Sequence, residues 1–138
     1  MKNFFKVFGI AALVAAIGFL TAACDLDAAY EKLNGVWDYG TFAVRFDNSN
    51  GVFSRIGSDS GWYEVQNHGN VKIGDRKFKD IVWHKSSKAG ERWTCQELVW
   101  YTWNYTTHWV DCTITMSDDG NTIYTTSSAG TMTYKRQE

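Results

Sequence analysis

The sequence predicts an all-β protein. Its expected architecture is a single antiparallel up-and-down β-barrel of about eight short strands, with a β-sandwich as the alternative. Three observations carry this. After Gly35 the chain is rich in Val, Ile, Thr, Tyr, Phe and Trp, which fit a pleated, half-buried surface. Turn signals recur at short intervals, and Asn50-Gly51, Asp119-Gly120 and Ala129-Gly130 place glycine where a tight hairpin needs positive φ. No helix long enough to connect parallel strands intervenes.

Taken in order, residues 1–23 stand apart from the fold. Lys2 and Lys6 precede the uncharged run Val7 to Leu20, and Thr21-Ala22-Ala23 follows. A basic start, an apolar middle and a small-residue exit are the parts of a cleaved secretory signal peptide. The run is shorter than the roughly 20 apolar residues of a membrane span. Residues 24–34, CDLDAAYEKLN, have helix-forming character but are too short for an isolated helix to be stable. They are expected to be an N-terminal tether with one helical turn over Ala28 to Leu33. Residues 35–138 form the barrel domain. Phe42 to Phe46 alternates, Asp47 to Gly51 turns, and Val52 to Ile56 returns. Trp62 to Val65 is a short strand, Val71 to Ile73 lies between turn signals, Lys79 to His84 is a strand, and Lys85 to Gly90 is a loop. Arg92 to about Thr102, His108 to Met116, Thr122 to Ser127 and Thr131 to Arg136 complete the set.

Alternate residues of a strand share a face. Val110, Cys112, Ile114 and Met116 therefore form an inward face, opposite Trp109, Asp111, Thr113 and Thr115. On the preceding strand Trp93 and Cys95 share a face. Setting Cys95 across from Cys112 sets Trp93 across from Ile114 and centres the turn near Trp103-Asn104. A disulfide between Cys95 and Cys112 is expected from this register, with two free buried thiols as the alternative; such a bridge contributes on the order of 3 kcal/mol. The hairpin tip reads WYTWNYTTHW, three tryptophans and two tyrosines in ten residues. If pairing runs to the strand ends, Val99, Tyr101 and Trp103 face inward while Leu98 and Trp100 face out, and Trp100 and Trp109 are the rings expected near solvent. The tip either folds over one end of the barrel or forms an exposed binding surface. Candidate ligand-binding residues are Trp93, Glu97, Trp100, Tyr101, Trp103, Tyr105 and Trp109. Glu97 faces inward, where a carboxylate needs a partner or a ligand.

Two resemblances add to this. Leu20-Thr21-Ala22-Ala23-Cys24 resembles the lipobox of bacterial lipoproteins. Its leucine stands one residue further from the cysteine than usual, as in the looser box of spirochaete lipoproteins. The resemblance implies acylation of Cys24, cleavage before it and stable anchoring by two or three acyl chains, palmitate among them. It places the protein in the cell envelope, lipid-anchored in the inner or outer membrane and facing periplasm or exterior. With Cys24 acylated, Cys95 and Cys112 are left as an even pair. The second resemblance rests on Gly35-Val36-Trp37, which is similar to the Gly-x-Trp of lipocalins and avidin-like calycin barrels. Asp119-Gly120-Asn121-Thr122 and Thr133-Tyr134-Lys135-Arg136 are similar to the closing pattern of bacterial lipocalin-like lipoproteins. This implies that Arg136 stacks on Trp37 and closes the barrel, a cation–π contact of about 0.5–2 kcal/mol. The mid-chain Thr-Asp-Tyr of lipocalins is absent, and no biotin-site residues carry over.

Composition and spacing exclude other classes. Without Lys2 and Lys6, 12 basic and 15 acidic side chains remain, a formal charge of −3. No basic stripe marks a nucleic-acid partner and no polybasic patch marks anionic lipid. His68, His84 and His108 lack metal-ligand spacing, Asp118-Asp119-Gly120-Asn121 reads as a hairpin turn, and no catalytic set or phosphate loop is present. No enzyme activity, cofactor or metal is expected. The expected function is a membrane-anchored, non-enzymatic barrel binding a small or apolar ligand. The alternative is a surface or periplasmic module that docks a protein or glycan through the aromatic tip.

Overall fold

The structure is a computed structural model describing residues 27–57, 71–85, 91–101 and 106–137. Cys24, the Trp62 to Val65 segment, His68, Trp103 and Tyr105 lie outside the described residues. Eight antiparallel strands close into one up-and-down barrel: β1 (Gly35–Asp38), β2 (Phe42–Asp47), β3 (Asn50–Ile56), β4 (Arg76–His84), β5 (Arg92–Trp100), β6 (Thr107–Met116), β7 (Thr122–Ser127) and β8 (Gly130–Arg136). Each strand pairs with the next in sequence, and β1 returns to β8 through Trp37 opposite Arg136 and Asp38 opposite Lys135. This is the architecture that the calycin resemblance implies. Val71 and Lys72 are not strand, β4 begins three residues earlier than expected, and β5 ends at Trp100.

The alternating sequences set the inner face. In β2, Phe42, Val44 and Phe46 are buried while Arg45 and Asp47 are exposed. The interior is filled by rings: Trp37, Phe42, Phe46, Phe53, Phe78, Trp93 and Tyr134 are all at most 1% exposed. Phe42 meets Phe53 edge-on at 5.5 Å, and Phe46 stacks on Phe78 at 5.2 Å. Gly51 makes room for that stack, since a Cβ there would stand 3.0 Å from the Phe46 ring and 3.2 Å from the Phe78 ring.

The two ends of the barrel differ. The mouth carries residues 39–41, 101, 106 and 128–129; the opposite end carries 48–49, 85, 91 and 117–121. A helix over residues 27–33 closes that second end. It is packed into the fold, because Ala29 and Leu33 are buried core residues. Tyr30 donates its hydroxyl to the Ile81 carbonyl at 3.0 Å. A helix leaves its last carbonyls without internal partners. Here Trp37 Nε1 donates to Leu33 O at 2.8 Å, Arg136 Nη2 donates to Lys32 O at 2.6 Å, and Arg136 Nη1 donates to Asn34 O at 3.1 Å. Arg136 Nε donates to Gly120 O at 3.0 Å, and the guanidinium lies 4.2 Å from the Trp37 ring. One arginine thus joins the helix, the first strand, the last strand and the β6–β7 turn.

The β5–β6 register pairs Cys95 with Cys112 and Trp93 with Ile114, as the hairpin parity predicts. The disulfide is corrected: both cysteines are free, buried thiols. Directly opposed side chains on neighbouring strands rise side by side from the sheet. A disulfide needs its sulfurs to converge about a dihedral near 90°, which this arrangement does not supply. Each thiol instead packs against the other. The hydrogen bond that the Cys112 thiol donates to Cys95, with burial and the nearby Cys95 and Glu97 charges behind it, pushes the Cys112 thiol far above its usual range.

Candidate functional site at the barrel mouth

Two β-bulges in β4 build the site. Gly51 faces Phe78 while Val52 faces Arg76, so Lys77 is the extra residue of the first bulge. Strict alternation would put Lys77 and Phe78 on opposite faces. The bulge re-aims the lysine, and both side chains are buried in the barrel. Between Lys79 opposite Gln96 and Val82 opposite Thr94 a second residue is inserted, with Asp80 at φ 55°.

Lys77 and Glu97 form a buried ion pair. Both side chains are 1% exposed, and Nζ lies 3.1 Å from Oε1. The ammonium also donates to the Leu98 carbonyl at 2.6 Å and sits 4.8 Å from the Trp100 ring. The Phe42 and Phe78 rings lie 5.7 Å away. Burial outweighs the attraction of Glu97 and holds the ammonium below the ordinary lysine range. Burial, followed by the Glu97 charge, pushes the Tyr134 phenol well above its usual range.

A crevice of about 180 Å³ opens over this pair, with Val99, Trp100, Ala129 and Met132 as the remaining walls. It combines an apolar collar with a charged floor. That arrangement orients a small molecule by one polar group and shields the rest of it from water. Among the described residues no group of histidine, cysteine and carboxylate side chains could hold a metal ion.

The predicted site residues divide. Glu97 is inward and has a partner, Lys77. Trp100 is corrected from a solvent-facing ring: it folds over the mouth, edge-on to Phe42 at 6.4 Å, and packs against the core. Leu98, expected outside, is buried at 8%, and Tyr101, expected inside, is 45% exposed. Pairing continues to Trp100 opposite Thr107, but the barrel interior ends there, so strand parity no longer decides burial. Tyr101 packs on His108 at 4.9 Å. Trp109 is 36% exposed on the outer wall, with Lys79 Nζ 4.2 Å from its ring, so it does not line the crevice. Trp93 is not at the mouth at all. It lies near the start of β5, seven residues below Trp100, at the closed end. Trp103 and Tyr105 lie outside the described residues. His84 Nε2 pairs with Thr94 Oγ1 at 2.7 Å, and Asp119 Oδ1 accepts from Ser117 Oγ at 2.6 Å and from Asn121 N at 3.0 Å, as a hairpin turn requires.

Sequence reasoning missed Lys77. Its one signal was Gly51, whose lack of a side chain leaves room at the bulge. The fold and site together define an aromatic-filled, eight-stranded antiparallel barrel with a charged floor beneath its mouth. Compared with protein-family models, curated sequences and solved structures, the chain matches none.

Proposed function

We propose that this protein is a non-enzymatic binding protein of the bacterial cell envelope. A signal peptide over residues 1–23 directs export, acyl chains on Cys24 hold the chain to a membrane, and the barrel mouth binds a small ligand over the Lys77–Glu97 pair. The carrying observation is that pair, 1% exposed and flooring the crevice. A buried ion pair is seldom more stable than apolar side chains of the same volume. Among the described residues no other charged side chain is buried, so a charged floor where a crevice opens points to use rather than to packing. The ligand is small. The crevice of about 180 Å³ is below the roughly 300–1,000 Å³ of drug-sized sites. Trp100 and Met132 offer its apolar part a wall, and the ion pair orients its polar group.

Native mass spectrometry of the full chain, extracted from membranes in detergent, tests this. The expected spectrum carries an acyl mass that Cys24→Ser abolishes and a small non-covalent mass that Ala129→Trp abolishes. Ala129 is exposed in the β7–β8 turn, so tryptophan there blocks the crevice without entering the core. A wild-type chain that binds nothing, alone or after soaking with membrane extract, refutes the ligand site.

One observation favours a second function, docking of a protein or glycan through the tip. Tyr101 and Trp109 are 45% and 36% exposed beside it. In that case Tyr101→Ser with Trp109→Ser abolishes partner capture, while Ala129→Trp leaves it intact.

A further inference from the structure

A larger cleft, of about 580 Å³, opens at the closed end, between the N-terminal helix and the β6–β7 turn. Lys32, Glu91, Trp93, Ser117, Asp118 and Asp119 are among the residues that line it. Three indoles stand at this end. Trp37 Nε1 donates to Leu33 O and Trp83 Nε1 donates to Glu91 Oε1 at 3.0 Å. The third, Trp93, lines the cleft and is 1% exposed; its Nε1–H has no hydrogen-bond acceptor and no open surface, so a ligand oxygen reaches it only as the ring or the wall beside it shifts. Buried indole N–H groups find partners in nearly every folded protein, so an orphan one in the wall of a cleft asks for an acceptor from outside the chain.

We infer that this cleft is a second binding site, for a neutral, hydroxyl-bearing ligand of the saccharide class. The lining charges select it. Glu91 is engaged by Lys32 at 3.1 Å and by Trp83, and Asp119 is engaged by Ser117 and Asn121. Asp118 is exposed and, as a carboxylate, only accepts. Three carboxylates against one ammonium disfavour an anion. A bare cation offers nothing to the Trp93 N–H. A hydroxyl does both jobs, accepting from the indole and donating to Asp118, and a sugar ring presents several at fixed spacing. The volume falls within the range of small-molecule sites. Seven residues of strand, roughly 23 Å, separate Trp93 from Trp100, so this site stands or falls independently of the mouth.

The indole N–H resonance of Trp93 reports on the site directly. In the full chain it is assigned by its loss in Trp93→Phe, and then followed during titration with maltose, cellobiose and diacetylchitobiose, with glycerol and putrescine as controls. The expected result is a saturable shift at millimolar concentration for at least one disaccharide. Asp118→Asn should weaken it by about tenfold, the worth of one hydrogen bond to a charged group. Asp118 is on the surface, so the remaining resonances serve as the check that the variant is folded. A resonance that none of the three disaccharides moves, or that drifts linearly and equally with glycerol, overturns the inference. Saturable binding of putrescine in place of sugar overturns the ligand class.

Discussion

Replacing Lys77 by methionine keeps most of the side chain's volume and removes its charge. Glu97, 1% exposed, then loses the ammonium 3.1 Å from its Oε1 and keeps no other ion-pair partner among the described residues. Breaking a buried pair from one side costs about 3–5 kcal/mol, because the remaining charge is stranded. A domain of this size has about 5–15 kcal/mol of stability in total. Lys77→Met should therefore lower the urea midpoint by roughly 2 M. Glu97→Leu should also destabilise, leaving the ammonium with the Leu98 carbonyl and the Trp100 ring. The double variant Lys77→Met/Glu97→Leu should return to within about 1 kcal/mol of the parent, or exceed it, since an apolar pair of similar volume avoids desolvation altogether. Urea unfolding of the four proteins completes the cycle. If Lys77→Met lies within about 1 kcal/mol of the parent and the cycle shows no coupling, the pair is not buried as described. The pH dependence has a definite sign. Lys77 binds its proton more weakly folded than unfolded, so between its lowered value and 10.5 the unfolded chain holds more protons. The lysine's contribution to stability therefore rises with pH in that window, and Lys77→Met lacks the rise.

Other expectations follow from the same structure. Cys112 stays protonated in the fold while the unfolded thiol ionises above about 9.0, so the parent should lose stability relative to Cys112→Ala as pH rises past that value in paired unfolding curves. Arg136→Ala removes the contact with Trp37 and three hydrogen bonds to carbonyls; a loss of about 2–4 kcal/mol is expected by thermal or urea unfolding, and Arg136→Lys should restore less than half, lacking the planar fork. Leu33→Ala should cost about 2–5 kcal/mol, as for any buried leucine; a cost near zero would mean the N-terminal helix is only a tether. Trp109→Ala, on the outer wall beside Lys79, should change stability by no more than about 1 kcal/mol.

How far the sequence could be read depended on local regularity. The β5–β6 register was legible because β6 carries a polar face against an apolar one, so a one-residue slip would bury Asp111 and Thr113. The inward aim of Glu97 followed from that parity. Lys77 was not legible, because a bulge adds a residue without any marker on its own strand. The side-by-side thiols were hidden for another reason: parity says which face a sulfur takes, not whether two sulfurs converge. The helix over residues 27–33 looks marginal by itself, and only the barrel end beneath Ala29 and Leu33 supplies the burial that holds it. Trp93 and Trp100 fall into one candidate ligand site when read from the sequence, yet a strand carries them to opposite ends of the barrel.

The helix that closes the barrel also gives the molecule a polarity. The chain upstream of residue 27 leaves from the closed end, because the helix lies across it. Whatever grips that upstream segment therefore grips the closed end. β6, with 10 residues, is about 33 Å long, and a strand tilt near 40° leaves roughly 25 Å between the two rims. The mouth stands that far from residue 27, at the other rim, so an anchor upstream of the helix, as proposed above, would leave the mouth facing away with the barrel itself as the stalk.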